Sequence, residues 1–202
     1  MKFIAAVTVV TSIAATIQGA AFQMRERPEV TVCMDRNADS TIFGAQAIAS
    51  RIYDRIGIPI HWSRRTPECT AARNSIVVDL LDETPPTQHP GSLAVSAPFQ
   101  GKDIVLYYDR VRAMGRNESS ILLGYVLAHE IAHIARGIIR HSDEGILKSH
   151  WDGRDRSSMR GTVLHFTEED IDLIRRGLDC GYEFPQGCKE ARPARSVRSK
   201  ID

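Results

Sequence analysis

The stretch Leu127-Ala128-His129-Glu130-Ile131-Ala132-His133 constrains this chain more than any other. Leu123, Leu127, Ile131, Ile134 and Ile138 recur around it at spacings of three and four, the period of an α-helix. Leu122, Tyr125 and Val126 add apolar surface on the other side. The pattern predicts a helix that starts at Asn117, is apolar nearly all round and is buried. His129 and His133 then lie one turn apart on one face, with Cβ atoms about 6 Å apart. Unpaired polar groups are costly in such a setting. One divalent cation would satisfy both imidazoles, with Glu130 close enough to act on a water at that ion. The alternative is an accidental match, but an accident would not respect the helical period of its surroundings.

A catalytic zinc takes three protein ligands and keeps a further position open. Downstream, Gly137 can end the helix in the left-handed conformation, and a sharp turn there would return His141 to the ion. Asp143, Glu144, His150, Asp152 and Asp155 are rivals for the third position. A Ser-Asp-Glu-Gly string is more commonly a solvated turn. His150 and Trp151 read as packing or pocket-lining residues. His61, His89 and His165 have no helical partner and read as ordinary surface or core histidines.

At this point the sequence resembles the metzincins, and among them the compact matrixin-like members. Their signature is H-E-x-x-H-x-x-G-x-x-H followed by a Met-turn. The corresponding residues are His129, Glu130, His133, Gly137 and His141, followed by Ser142. Gly137 falls one residue later than in that signature and His141 two residues later. Leu147 stands where the methionine is expected, and Leu roughly conserves its volume. The resemblance implies a secreted zinc-dependent endopeptidase. Zn2+ would be held by His129, His133 and His141, and Glu130 would be general base to a zinc-activated water. It implies an α+β fold with a mixed, twisted sheet of about five strands. Two long helices, one bearing the motif, and a small C-terminal subdomain with a third helix would accompany it. A protein or peptide substrate would lie along an edge strand near Gly91 to Pro98. The altered spacing supports a rival reading, a catalytically silent zinc-binding interaction module. A metal-free exported protein is a third.

The remaining elements follow from local patterns. Val30, Val32 and Met34 alternate as in a strand. Asp39 or Ser40 caps a helix that should bury Ile42, Phe43, Ala47, Ile48, Ile52 and Ile56 and end at Gly57. Ile58 to Trp62, Ser75 to Leu81 and Ile104 to Tyr108 read as strands. Pro90 and Pro98 confine Gly91 to Pro98 to an edge. Thr167 caps a last helix, with Asp170 in the position that completes a capping box. Ile171, Leu173, Ile174 and Leu178 form its apolar face.

The 202 residues suit one domain, and a formal net charge of +1 gives no reason to expect a nucleic-acid partner. Lys2, the apolar run Phe3 to Ile17 and Gly19-Ala20-Ala21 match a cleaved signal peptide, residues 1–21. The catalytic domain is then 22–188, and the polar, basic segment 189–202 is expected to be a disordered tail. The mature chain should be a secreted or periplasmic monomer with no stable membrane insertion. Cys33, Cys69, Cys180 and Cys188 suggest disulfides in an exported chain. A short Cys180–Cys188 loop would leave Cys33 with Cys69.

Overall fold

β-branched and apolar runs with turn residues at their ends build one five-stranded sheet. Its strands are β1 (Val30–Met34), β2 (Ile60–Ser63), β3 (Ser75–Leu81), β4 (Ala94–Ser96) and β5 (Asp103–Tyr107), in the order β2-β1-β3-β5-β4. The first four in that order run parallel, and β4 pairs antiparallel with β5 at the edge, Val95 opposite Val105. The computed structural model describes residues 28–35, 39–72, 75–98, 100–113, 116–161 and 164–180. The expected signal segment, Cys188 and the basic tail lie outside the described residues.

A parallel pair needs a long crossover, and α1 (Ser40–Asp54) supplies it between β1 and β2. Asp39 caps this helix, its Oδ1 accepting from Thr41 N at 2.8 Å. Gly57, at φ 72°, turns the chain after it. Ile42, Ala45, Ile48, Ala49, Ile52 and Tyr53 are buried. Phe43, expected in the core, is 69% exposed, and Ala47 is exposed as well. Each residue turns the helix by about 100°. Burying the stripe on which Ile42, Ala45, Ile52 and Tyr53 lie therefore turns Phe43 and Ala47 outward.

The motif helix is α4 (Arg116–Arg136), and it packs across α1. A Cβ on Gly124 would stand 2.6 Å from both Cβ and Cγ2 of Ile48 and 3.0 Å from the Ala45 carbonyl oxygen. The missing side chain is what lets the two helices approach so closely. Tyr53, buried on α1, donates its hydroxyl to the Ala128 carbonyl at 3.2 Å, one residue before His129. The final helix, α6 (Glu168–Asp179), has the Thr167/Asp170 capping box. Ile174 and Leu178 enter the core, while Ile171 and Leu173 are half-buried.

Three short helices have no apolar stripe in the sequence to reveal them: α2 (Pro67–Ala71), α3 (Tyr108–Arg112) and α5 (Gly153–Arg160). The first is tied to β1 by a disulfide between Cys33 and Cys69. Cys180 is also disulfide-bonded. Tyr108, expected to end a strand, instead opens α3. In α5 only Met159 is buried, and the helix stands on a capping box between Asp152 and Asp155. Among the described residues, no helix is long and apolar enough to cross a membrane.

Gly124→Ala sets two effects against each other. Alanine improves helix propensity by up to about 1 kcal/mol, but a methyl group forced into a packed interface costs about 1–3 kcal/mol. At 2.6 Å the steric cost should win. The variant should unfold at lower denaturant with an unchanged m-value in urea titrations followed by circular dichroism.

Candidate metal centre

The apolar stripe of α4 fixes the helix against the sheet and α1, so its remaining face must look into the cleft beneath β4. His129 and His133 lie there, 8% and 5% exposed. Each ring is oriented by a backbone carbonyl. His129 Nδ1–H donates to the Ile146 oxygen at 2.8 Å, and His133 Nδ1–H donates to the Ile138 oxygen at 2.8 Å. A carbonyl can only accept, so both Nδ1 atoms carry the proton. Burial holds both groups neutral: His129 is pushed down to about 3, with the neighbouring His133 adding to the effect, and His133 is pushed down to about 4. A neutral imidazole protonated at Nδ1 is bare at Nε2. The two Nε2 atoms nevertheless face each other at 3.0 Å. Two opposed lone pairs repel unless a cation lies between them. Nitrogens sharing a tetrahedral zinc at about 2.0–2.1 Å stand roughly 3.3 Å apart. The donor set therefore fits such an ion with a few tenths of an ångström of adjustment.

Local turns bring in the third donor. Gly137, at φ 60°, breaks α4 and presents the Ile138 carbonyl to His133. The chain then swings out and returns, so that His141 comes within 4.8 Å of both other ligand atoms. Its ring centroid is 5.2 Å from that of His129 and 4.9 Å from that of His133. His141 is exposed, and burial still biases it toward the neutral form. Under the site, Ser142 N bonds the Leu147 carbonyl at 2.9 Å and closes a small loop. Gly145 sits at φ 75°, and a Cβ there would lie 2.4 Å from the His165 oxygen. The same oxygen accepts from Ile146 N at 3.0 Å. That clamp aims the Ile146 carbonyl at His129. Leu147 is fully buried in the core, and the atom that meets the His129 ring is the preceding carbonyl oxygen.

Glu130 follows His129 on α4 and is half-buried. Ser96, from the edge strand, donates its hydroxyl to Glu130 Oε2 at 2.5 Å. Burial raises the carboxyl to about 7, partly offset by the Ser96 bond. Trp151 packs edge-on against His129, centroids 5.5 Å apart, and donates to the Ile146 oxygen at 3.2 Å. Ser96, His129, Glu130, His133, His141 and Trp151 line a cleft of about 850 Å³ that runs beneath β4 and the 89–93 segment.

The acidic rivals for the third position are occupied elsewhere or exposed. Asp152 and Asp155 hold Lys148 Nζ at 3.1 and 2.7 Å and cap α5. Asp143 and Glu144 are exposed and lie outside the histidine cluster. His150 and Trp151 line the cleft, and so does His89, which the sequence placed among ordinary histidines. His61 bonds Glu29 on the surface.

Three contributors escaped the sequence. Ser96 sits on a strand far away in the chain. Arg136, the last residue of α4, is completely buried, its Nη1 3.2 Å from Asp170 Oδ1. The same oxygen accepts from Ser142 Oγ at 2.7 Å. Asp170 thus joins the end of the motif helix, the His141–Ser142 return and the first turn of α6. An arginine inside an apolar run was the available signal, because a buried guanidinium demands a carboxylate.

No protein-family model matches this chain, and no curated protein matches it. Among solved structures it is similar to the crystal structure of archaemetzincin from Methanopyrus kandleri. That similarity has a TM-score of 0.49 and 11% identity, covering 77% of this chain and 98% of that one. At that distance the likeness assigns no function.

Asp170→Ala should destabilise the protein by about 3–5 kcal/mol, because it strands the Arg136 charge in the interior; denaturant titration measures this. In the metal-free protein, stability should also depend on pH through the site. His129 and His133 have folded values below the ordinary 6.5, so the unfolded chain takes up their protons first as pH falls. Stability is therefore lost from about pH 6.5 downward, by about 2 kcal/mol per histidine between pH 7 and 5. Glu130, raised from 4.5 to about 7, acts in the opposite sense, and its contribution fades as pH rises through that window. Metal-free Glu130→Gln should accordingly lose stability about twice as steeply as the wild type between pH 7 and 5.

Proposed function

We propose that the protein is a secreted zinc-dependent endopeptidase of metzincin type, with His129, His133 and His141 as ligands and Glu130 as general base. One observation carries this reading: two neutral imidazoles turn bare Nε2 atoms on each other at 3.0 Å, with a third histidine beside them. Such a group of lone pairs has a use only around a cation. Zinc, when bound, supplies a Lewis acid that acidifies water and polarises a carbonyl.

The chain's own residues supply the rest. Ser96 occupies Glu130 Oε2, which leaves Oε1 to take a proton from the attacking water and deliver it to the leaving amine. Burial raises Glu130 in the metal-free protein to about 7, which favours a carboxyl able to hold a proton between the two transfers. The Ile146 and Ile138 carbonyls hold the ligand rings against rotation. β4 pairs with β5 along one side, and its Val95 side chain is 44% exposed. On its other side the Ala94 carbonyl already accepts from Ser92 Oγ at 2.8 Å, and the remaining backbone groups would be offered to an extended peptide by strand addition. Export is supported by the Cys33–Cys69 disulfide, since such bonds persist in oxidising compartments.

Glu130→Gln tests the reading most directly. The variant should keep stoichiometric zinc by elemental analysis and lose about 10²–10⁴-fold in hydrolysis of an unfolded protein. A chelator should abolish wild-type hydrolysis, and added zinc should restore it. Full activity in Glu130→Gln would refute the assigned role. Tight zinc binding with no hydrolysis at any pH would favour the silent zinc-binding module.

A further inference from the structure

The cleft has an electrical asymmetry that zinc chemistry does not require. Glu130 is the one acidic residue lining it among the described residues, whereas Arg110, Lys148 and Arg156 line it as cations. Their states differ. Lys148 is held by Asp152 and Asp155, whose two negative charges outweigh its one positive charge. Arg110 spends Nη1 on two neutral acceptors, the His89 and Ser92 carbonyls, both at 2.6 Å, and stacks over Tyr107. It fixes the segment that roofs the cleft while its charge meets no carboxylate among the described residues. Arg156 is exposed and forms no ion pair among the described residues. The nearby Glu118 is taken by Arg160. Arg110 and Arg156 thus face the cleft as cations, a low-dielectric cleft concentrates their field, and a divalent cation at the histidines would add to it.

Position adds a length scale. Arg156 and Leu122 line both the main cleft and a small adjoining cavity of about 30 Å³. Leu122 lies seven residues before His129 on the same helix, which is about 10 Å along its axis. An extended peptide covers that distance in three residues. Resting on the peptidase reading, we propose that the cleft selects peptides bearing a carboxylate within three residues of the scissile bond, and that Arg156 is the residue that recognises it. The carboxylate is an Asp or Glu side chain or the end of a peptide chain; the chemistry at Arg156 is the same.

The test uses short fluorogenic peptides with Glu, Gln or Lys at each of the three positions on either side of one bond, each with a free or an amidated C-terminus. Cleavage is measured with zinc-loaded wild type. Affinity is measured separately by anisotropy on Glu130→Gln, with and without zinc. Glu peptides should bind and react at least about 5-fold better than Gln peptides at one or more positions, a typical gain for a charge-assisted contact. The preference should shrink between about 50 and 300 mM salt, as screening shortens. Arg156→Glu should transfer the preference to Lys peptides, and Arg156→Gln should abolish it. If amidation alone removes the preference, the chain end is the carboxylate recognised; if it does not, the side chain is. Equal affinities for Glu, Gln and Lys peptides, unmoved by Arg156→Glu, would overturn the proposal. Should no peptide be cleaved while the binding preference stands, the peptidase reading fails and carboxylate recognition survives.

Discussion

Two backbone carbonyls decide what this site can be. By accepting Nδ1–H from His129 and His133, the oxygens of Ile146 and Ile138 choose the tautomer of both rings and lock them edge to edge. Every other feature of the centre serves that choice. Gly137 exists to turn the chain so that Ile138 can reach His133, and Gly145 exists because the His165 carbonyl leaves no space for a side chain. Burial then removes the easy escape of protonation. What results is a pair of opposed lone pairs, a local conflict that apolar packing maintains and that a cation would resolve.

A second constraint joins the site to the rest of the molecule. Arg136 ends the motif helix inside the core, where a guanidinium is tolerable only beside a carboxylate. Asp170 supplies one from the first turn of α6 and also accepts from Ser142, next to His141. The distance between second and third histidine is thus spanned by a segment pinned at both ends. Gly137 opens the turn after His133, and Asp170 closes it beside His141. Across the cleft, Ser96 ties the Glu130 carboxylate on α4 to the edge strand.

Much of this was legible in the residues. The α4 periodicity and the His129–Glu130–His133 spacing follow from a helix period that is a local property. Ser75 to Leu81 emerged as β3 without adjustment, because a β-branched run bounded by turns has few other solutions. The Thr167 capping box emerged for the same reason, as its two partners lie three residues apart. Phe43 and Ala47 were misplaced because hydrophobicity indicates that a residue can be buried, while the rotation of α1 against β1 and α4 determines whether it is. α5 was missed because a polar helix held by its cap leaves no periodic trace.

The sequence by itself determined the kinds of atoms present and their local spacing: two imidazoles one turn apart, a carboxylate beside them, a glycine and a further histidine downstream. Those are consequences of helix geometry and backbone sterics, which act over a few residues. Only the tertiary structure decided that His141 rather than an acid joins the cluster. It also decided that Asp152 and Asp155 are held by Lys148, that Ser96 meets Glu130 and that Arg136 finds Asp170. These are contacts between segments distant in the chain or separated by turns, where burial and charge pairing act through space and leave no local pattern to read.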